Sequence, residues 1–293
     1  MFVATIVASG VLRQGDITQA RDRLAQAGCA PSDTVDLDAG KAADILFAQN
    51  PEAARQTLQA MDGAIDVIVQ PVATREKKLL VADMDSTMIT VECIDELADY
   101  AGIKEQIADV TERAMRGELD FAEALRSRVA LLKGLEEKTI DVCRIERVKI
   151  MPGAKQLVQT MMARGAKTVL VSGGFTRFAE PVGEEIGFGR VVANILDVEG
   201  AALAGTVRLP IVDAMTKRAE LEQAAAQHHI PSELTMAVGD GANDILMMQA
   251  ASLGVAYHAK QKAREAADAE INHGDLSVLL YAQGIARSAW VGG

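Results

Sequence analysis

Positive charge is in short supply in this chain: 30 Lys and Arg stand against 41 Asp and Glu in 293 residues, a formal net charge of −11. That balance argues against nucleic acid or an anionic membrane as a main partner, and an anionic substrate needs a local exception to the global field. Cysteine is scarce too. Cys29, Cys93 and Cys143 are odd in number, far apart and form no CxxC pair, so neither a disulfide framework nor a zinc site is indicated, and a reducing cytoplasm fits. Long apolar runs are missing: Ile245–Ala259 carries no charge but includes Gln249, Ser252 and His258, and nothing reaches membrane-spanning length. The opening "MFVATIVASGVL" has no Lys or Arg ahead of it and reads as a first strand rather than a signal core. Aromatics supply only 3%, which leaves the core to Ala, Val, Leu, Ile and Met. Repeats and low-complexity tracts are absent.

What is present is ordinary for a folded chain, with 49% hydrophobic and 24% charged residues and length for one large domain or two smaller ones. Residues 1–76 carry a pattern of their own. "FVATIVAS" reads as a strand and "ITQARDRLAQAG" as a helix closing at Gly28. "TVDLDAG" and "AADILFAQ" read as two short segments around a turn, the second equally compatible with helix; "PEAARQTLQAMDG" is a further helix and "AIDVIVQPVA" a closing strand. The order β-α-β-β-α-β predicts a small α+β, ferredoxin-like domain, with "ATREKK" as linker.

Over 77–293 the pattern changes. "LLVAD", "KTVLVS", "LTMAVGD" and "LGVAY" alternate with helical stretches, which predicts an α/β unit with a Rossmann-like parallel sheet. Between about 92 and 150 the sequence is amphipathic and helical, an inserted cap. "VVANILDVEG" and "ALAGTVRLPIV" have the alternation and central glycine of a hairpin.

In an open parallel sheet, ligands bind beyond the carboxyl ends of the strands. Three of the four apolar runs end in polar residues: Asp83 and Asp85, then Ser172–Gly173–Gly174, then Asp240 with Asn243 and Asp244. On an extended chain, residues two apart point the same way, so Asp83 and Asp85 can face one site. Two such carboxylates stay ionised together with a cation between them, or one takes up a proton. Oxygen ligands at this density suit Mg2+, which pairs with phosphate. An EF-hand fails, because Met88 and Ile94 stand where its glycine and glutamate belong; "GDGAND" lacks the third glycine of a dinucleotide loop, and no Walker-type lysine loop occurs. Each residue also has a plain reading: Asp83 and Asp85 as turn formers, Asp244 as a helix cap, Glu92 as a first-turn acid, Arg128 as a surface arginine. Lys217 falls near a helix start, where the dipole disfavours a cation unless an anion is held there. Glu92 and Arg128 together offer a carboxylate for an ammonium and a guanidinium for a carboxylate. His228 and His229 read as solvent-facing, with no base partner.

Taken in order, "DMDST", Ser172, Lys217 and "GDGAND" resemble the four motifs of the haloacid dehalogenase-like phosphatases, over the chain from about Lys78 onward. Within that superfamily "DMDSTMITVECIDELA", "FAEALRSRVALLKGL", "VSGGFT" and "VGDGANDILMMQAA" are similar to segments of the phosphoserine phosphatase family. The resemblance implies the fold of that superfamily, Asp83 as nucleophile and Asp85 as acid and base. It implies Mg2+ held by Asp83, the Asp85 carbonyl and Asp240, with Asp244 close by. Ser172, Lys217 and Asn243 are implied on the phosphate, and Gly173 through its backbone. Glu92 and Arg128 are implied on the amino and carboxylate groups of O-phospho-L-serine, with Met115 and Phe121 over the substrate. The implied activity is Mg2+-dependent hydrolysis of O-phosphoserine, the last step of serine biosynthesis. A phosphotransferase, a phosphatase for another small ester such as phosphohomoserine, and a phospho-aspartate signalling or amino-acid-sensing protein stay open beside it. Residues 1–76 resemble an ACT-type domain, which implies an amino-acid effector there; a homodimer is left open, and the cytoplasm is the expected location.

Overall fold

The computed structural model describes residues 1–61, 63–116 and 118–291. Its first sheet is antiparallel. β1 (Phe2–Ala8), α1 (Gln14–Gln26), β2 (Pro31–Asp38), β3 (Ala42–Phe47), α2 (Pro51–Gln59) and β4 (Ile65–Pro71) follow one another, with sheet order β2-β3-β1-β4. "AADILFAQ" is therefore strand: β3 pairs with both β1 and β2, and its Ala43, Ile45 and Phe47 are buried in one cluster with residues of α1 and α2. A short 3-10 turn, Val72–Thr74, leads out of β4.

The second sheet is a parallel, six-stranded one. It is built from β5 (Leu79–Ala82), four helices α3 (Cys93–Tyr100), α4 (Lys104–Met115), α5 (Phe121–Leu131) and α6 (Lys138–Arg147), then α7 (Ala154–Ala163), β6 (Lys167–Phe175), α8 (Thr176–Ile186) and β7 (Arg190–Asn194). A hairpin, β8 (Leu196–Glu199) and β9 (Ala202–Val207), intervenes before α9 (Ala214–Gln227), β10 (Thr235–Gly239), α10 (Ile245–Ala250), β11 (Leu253–Tyr257), α11 (Gln261–Ala266), β12 (Ala269–Ile271) and α12 (Val278–Ala282). The sheet order is β12-β11-β10-β5-β6-β7. Leu79 and Val81 enter one apolar cluster while Leu80 and Ala82 enter the other, so β5 is buried on both faces, as a central parallel strand must be. The fold class is the expected one: a Rossmann-like core with helices on both faces, preceded by a separate four-stranded antiparallel sheet.

Two details differ from the sequence expectation. "VVAN" is not the first arm of the hairpin but β7, the edge strand of the parallel sheet; the hairpin begins after it, at Leu196. The hairpin also joins the helical insertion. Gly134 N–H donates to Leu203 O, Leu203 N–H to Leu135 O and Glu137 N–H to Ala201 O, each at 2.9 Å. Gly205, at φ +82°, lies so close that a Cβ there would stand 2.8 Å from Lys133 Cβ. The insertion is tied to the core where its two linkers pair: Ile89 bridges Ile150, Thr90 N–H donates to Lys149 O at 3.0 Å, and Met151 N–H to Met88 O at 2.9 Å.

The two sheets are bonded to each other. Asp66 on β4 is buried and accepts from three successive backbone N–H groups after β12: Asn272 at 2.8 Å, His273 at 3.1 Å and Gly274 at 2.7 Å. Tyr281 donates to Asp38 at 2.6 Å, and Gln70 Nε2 to Ala282 O at 2.6 Å.

Candidate active site

β5, β6 and β10 are neighbours in the order β10-β5-β6, and their carboxyl ends bring the polar residues to one edge. The apolar run of β5 ends at Ala82, and Asp83 follows with its N–H bonded to Val238 O of β10 at 3.0 Å. The chain then turns through 85–88, with Ser86 at φ +55°. This turn decides where Asp83 and Asp85 point. The two carboxylates take different hydrogen-bond partners, yet each feels the charge of Lys217, and Asp83 also feels that of Asp85.

Asp83 faces α9. Lys217, four residues into that helix and 1% exposed, places its ammonium 2.6 Å from Asp83 Oδ1 and 2.7 Å from Asp244 Oδ1. Asp213 caps the helix, its Oδ1 accepting from Thr216 N–H at 2.8 Å. Asp244 does not cap α10 with its side chain; its other oxygen accepts from Gly241 N–H at 3.0 Å. Asp83, Asp240 and Asp244 are all buried, and one carboxylate oxygen from each lies within 4.8 Å of the others. Burial, then Asp244, pushes Asp83 well above the usual carboxylate range, while Lys217 draws it down. Asp240 is raised to about 6, first by burial and then by Asp244. Burial works to lower Lys217, but the charges of Asp244 and Asp83 prevail and hold it above its ordinary value.

Three carboxylates and one ammonium leave two negative charges uncompensated in a buried space. A hard divalent cation would cancel them with oxygen ligands alone, and the donor set fits such an ion. The exposed Lys260, 3.9 Å from Asp240, is a weak substitute.

Asp85 is not one of these three carboxylates, though its charge reaches Asp83. Its Oδ1 accepts from Cys93 N–H at the start of α3 at 3.4 Å, and its pKa is raised to about 7 by burial and then by the charge of Glu92. It is adjacent to the β6 turn, since a Cβ on Gly174 would stand 3.0 Å from Ser172 Oγ and 3.1 Å from Asp85 Oδ2. Gly174 N–H donates to Ser172 Oγ at 2.9 Å. Asn243 lies on the 3-10 turn between Asp240 and α10, against Gly241.

The helical insertion closes over this edge. Phe121, the first residue of α5, sets its ring against Gly173: a Cβ there would be 3.1 Å from Phe121 Cζ. Glu92 precedes α3, and its Oε1 accepts from Ser86 Oγ at 2.7 Å. Arg128 is half-buried on α5; burial lowers its pKa while Asp95, Glu92 and Asp85 raise it, so it feels all three acids. No carboxylate pairs with it among the described residues, and its Nε donates only to Ala124 O, at 3.4 Å. Met115 ends α4; its side chain lies outside the described residues. His228 and His229 are exposed beyond α9. A cleft of about 770 Å³ lies elsewhere, between the first sheet and the C-terminal segment around Asp38, Met151 and Trp290, and no acid of this cluster lines it.

Three residues at this edge have roles that the sequence does not assign: Ser86, which holds Glu92; Gly174, whose missing side chain lets Asp85 and Ser172 approach; and Asn194, at the end of β7. Only the second glycine of "SGG" hints at the need for close approach.

A family model for the haloacid dehalogenase-like hydrolases matches residues 77–252. A phosphoserine phosphatase of Mycobacterium tuberculosis is 44% identical over 233 residues, 79% of this chain and 57% of that protein. One of Idiomarina loihiensis is 46% identical over 202 residues, 69% of this chain and 91% of that protein. Among solved structures, a probable phosphoserine phosphatase from Vibrio cholerae in unliganded form superposes with a TM-score of 0.79 at 33% identity, covering 98% of this chain and 88% of that one. The match thus spans little more than half of the mycobacterial protein but nearly all of the shorter relative. The chain belongs to the haloacid dehalogenase-like hydrolases, and within them to the phosphoserine phosphatase family.

Proposed function

We propose that this chain is a Mg2+-dependent phosphatase that hydrolyses O-phospho-L-serine through a phosphorylated Asp83. The observation that carries the reading is geometric: the Lys217 ammonium lies 2.6 Å from Asp83 and 2.7 Å from Asp244 in the buried acid cluster, while Asp85, its pKa raised to about 7, stands beside Ser172 at the β6 turn. With Lys217 and a bound cation offsetting its burial, Asp83 would act as the anionic nucleophile, and Asp85 would give or take a proton at working pH. Asp83 attacks phosphorus, the ester P–O bond breaks, and the Asp85 proton goes to the departing seryl oxygen. Asp85, now anionic, takes a proton from water as that water attacks the aspartyl-phosphate, which releases phosphate and restores Asp83. Lys217, Ser172, Asn243 and the Gly173 backbone bind the phosphoryl oxygens. Asp83, Asp240, Asp244 and the Asp85 carbonyl would hold Mg2+, which supplies positive charge to the phosphoryl group and relieves crowding among the acids.

Specificity comes from the insertion. Glu92 takes the substrate ammonium and Arg128, without a carboxylate of its own, takes the substrate carboxylate, while Phe121 and Met115 exclude water above them. In this reading the chain divides at 76/77 into an ACT-like unit and a phosphatase unit with its cap at about 92–150; the ACT-like unit would take an amino-acid effector. Phosphate release from a panel of small phosphate esters, with Mg2+ and with EDTA, tests the function. O-phosphoserine should dominate, EDTA should abolish turnover, and Asp83→Asn should lose at least about 1000-fold, the scale of losing a covalent nucleophile. Near-wild-type activity of Asp83→Asn, or equal turnover of all esters, would overturn it.

A further inference from the structure

We infer that Asn194, outside every motif above, is a positioning residue for the phosphate cradle, locking the Ser172–Gly174 segment to the approach of the Lys217 helix. The inference rests on the reading of Ser172 and Lys217 as phosphate ligands.

The geometry begins in the sheet register. β6 and β7 pair Val171 with Val192 and next Phe175 with Asn194, so three residues of β6 are accommodated where β7 has one. Ser172, Gly173 and Gly174 are thereby pushed out of the ladder toward the site, and their backbone groups lose ladder partners. Gly174 N–H finds Ser172 Oγ. Gly173 C=O accepts from Asn194 Nδ2 at 2.8 Å. The same amide accepts on Oδ1 from Val212 N–H, also at 2.8 Å, and Val212 lies on the segment that leads into α9 and Lys217. Asn194 is 1% exposed, so water cannot replace either bond.

The chemistry of the partners fixes the amide. A carbonyl only accepts and an N–H only donates, so one end of the side chain must be a donor and the other an acceptor. Aspartate keeps the acceptor for Val212 but sets an oxygen against Gly173 C=O; alanine serves neither. Asn194 thus joins two elements that carry phosphate ligands but share no ladder bond at this point. Small displacements of positioned groups are amplified in rate, and a 1 Å error can cost about 100-fold.

The test compares Asn194→Asp and Asn194→Ala with wild type, with Ser172→Ala and with Thr160→Val. Thr160 is also buried, and its Oγ1 accepts from Val291 N–H at 2.9 Å, remote from the site. The readouts are kcat and KM for O-phosphoserine, the inhibition constant of inorganic phosphate, and Tm. Both Asn194 variants should weaken phosphate inhibition and raise KM by about tenfold and lower kcat, the scale of one buried hydrogen bond left unmade. Thr160→Val should lower Tm while leaving both constants unchanged. Should Asn194→Ala fail to fold, the near-isosteric Asn194→Asp carries the comparison. A folded Asn194→Asp with phosphate inhibition and kcat within about twofold of wild type, beside a damaged Ser172→Ala, overturns the inference alone. If Ser172→Ala also leaves phosphate inhibition unchanged, the cradle itself is misassigned and the inference falls with it.

Discussion

Asp85→Asn should make the metal-free protein more stable while abolishing its activity. A carboxyl whose pKa rises on folding is a source of instability, because the folded state holds the proton more tightly than the unfolded chain does. Here the rise runs from 3.8 to about 7, roughly three units at about 1.4 kcal/mol each. The upper bound is then ~4 kcal/mol, and since Asp85 keeps some access to solvent we set the expected figure at about 2–3 kcal/mol after screening. The penalty is absent below the unfolded value of 3.8, grows as pH rises toward 7, and is constant above. Asparagine carries no charge at any of these pH values, and its oxygen can still accept from Cys93 N–H. Thermal melts of wild type and Asp85→Asn in EDTA should therefore diverge by several degrees at pH 8, at about 2–4 °C per kcal/mol for a chain of this size, and converge toward pH 4. A variant no more stable than wild type at pH 8, or a gap independent of pH, would refute the reasoning.

Ser86→Ala, which frees the Glu92 carboxylate, should raise KM for O-phosphoserine by about three- to tenfold, the net scale of one ordinary hydrogen bond at a carboxylate that water can still reach, while turnover of an aryl phosphate barely changes. Arg128→Ala should show the same selectivity more strongly; equal losses on both substrates would remove the carboxylate clamp. Gly174→Ala places a methyl about 3 Å from both Ser172 Oγ and Asp85 Oδ2, so kcat should fall at least about tenfold with little change in Tm; an unaffected kcat would mean that the turn yields freely. Asp66→Asn turns one acceptor toward Gly274 N–H into a donor, and should cost about 1–3 kcal/mol and speed proteolysis at residues 72–78; an unchanged melt would show that the sheets do not depend on that contact.

The core strands were legible because burial on both faces demands short apolar runs, and "LLVA" and "LGVAY" are such runs. β7 was not, since an edge strand is half-covered and merges without a break into the hairpin that follows. β12 is three residues long and leaves no periodic trace. The site was legible where polar residues terminate apolar runs, which is why Asp83, Ser172 and Asp240 stand out. What could not be read is how they pair. That Lys217 lies between Asp83 and Asp244, and that Asp85 accepts from Cys93 N–H, depends on the turn at Ser86 and on contacts between residues remote in the chain. Ser86 and Asn194 are common polar residues whose work depends on a local kink and a register shift, and composition records neither.

The bonds between the β8–β9 hairpin and the 134–137 segment have a mechanical consequence. An insertion hung only from the linkers at 88–90 and 149–151 could shift without disturbing the strand ends, but this one is hydrogen-bonded to the hairpin as well. The hairpin is rooted between Asn194 and Val212, which are hydrogen-bonded to each other and form the proposed anchor of the phosphate cradle. In the proposed reading, any opening of the insertion would therefore strain that anchor, so that uncovering the site and loosening its grip on inorganic phosphate would be coupled.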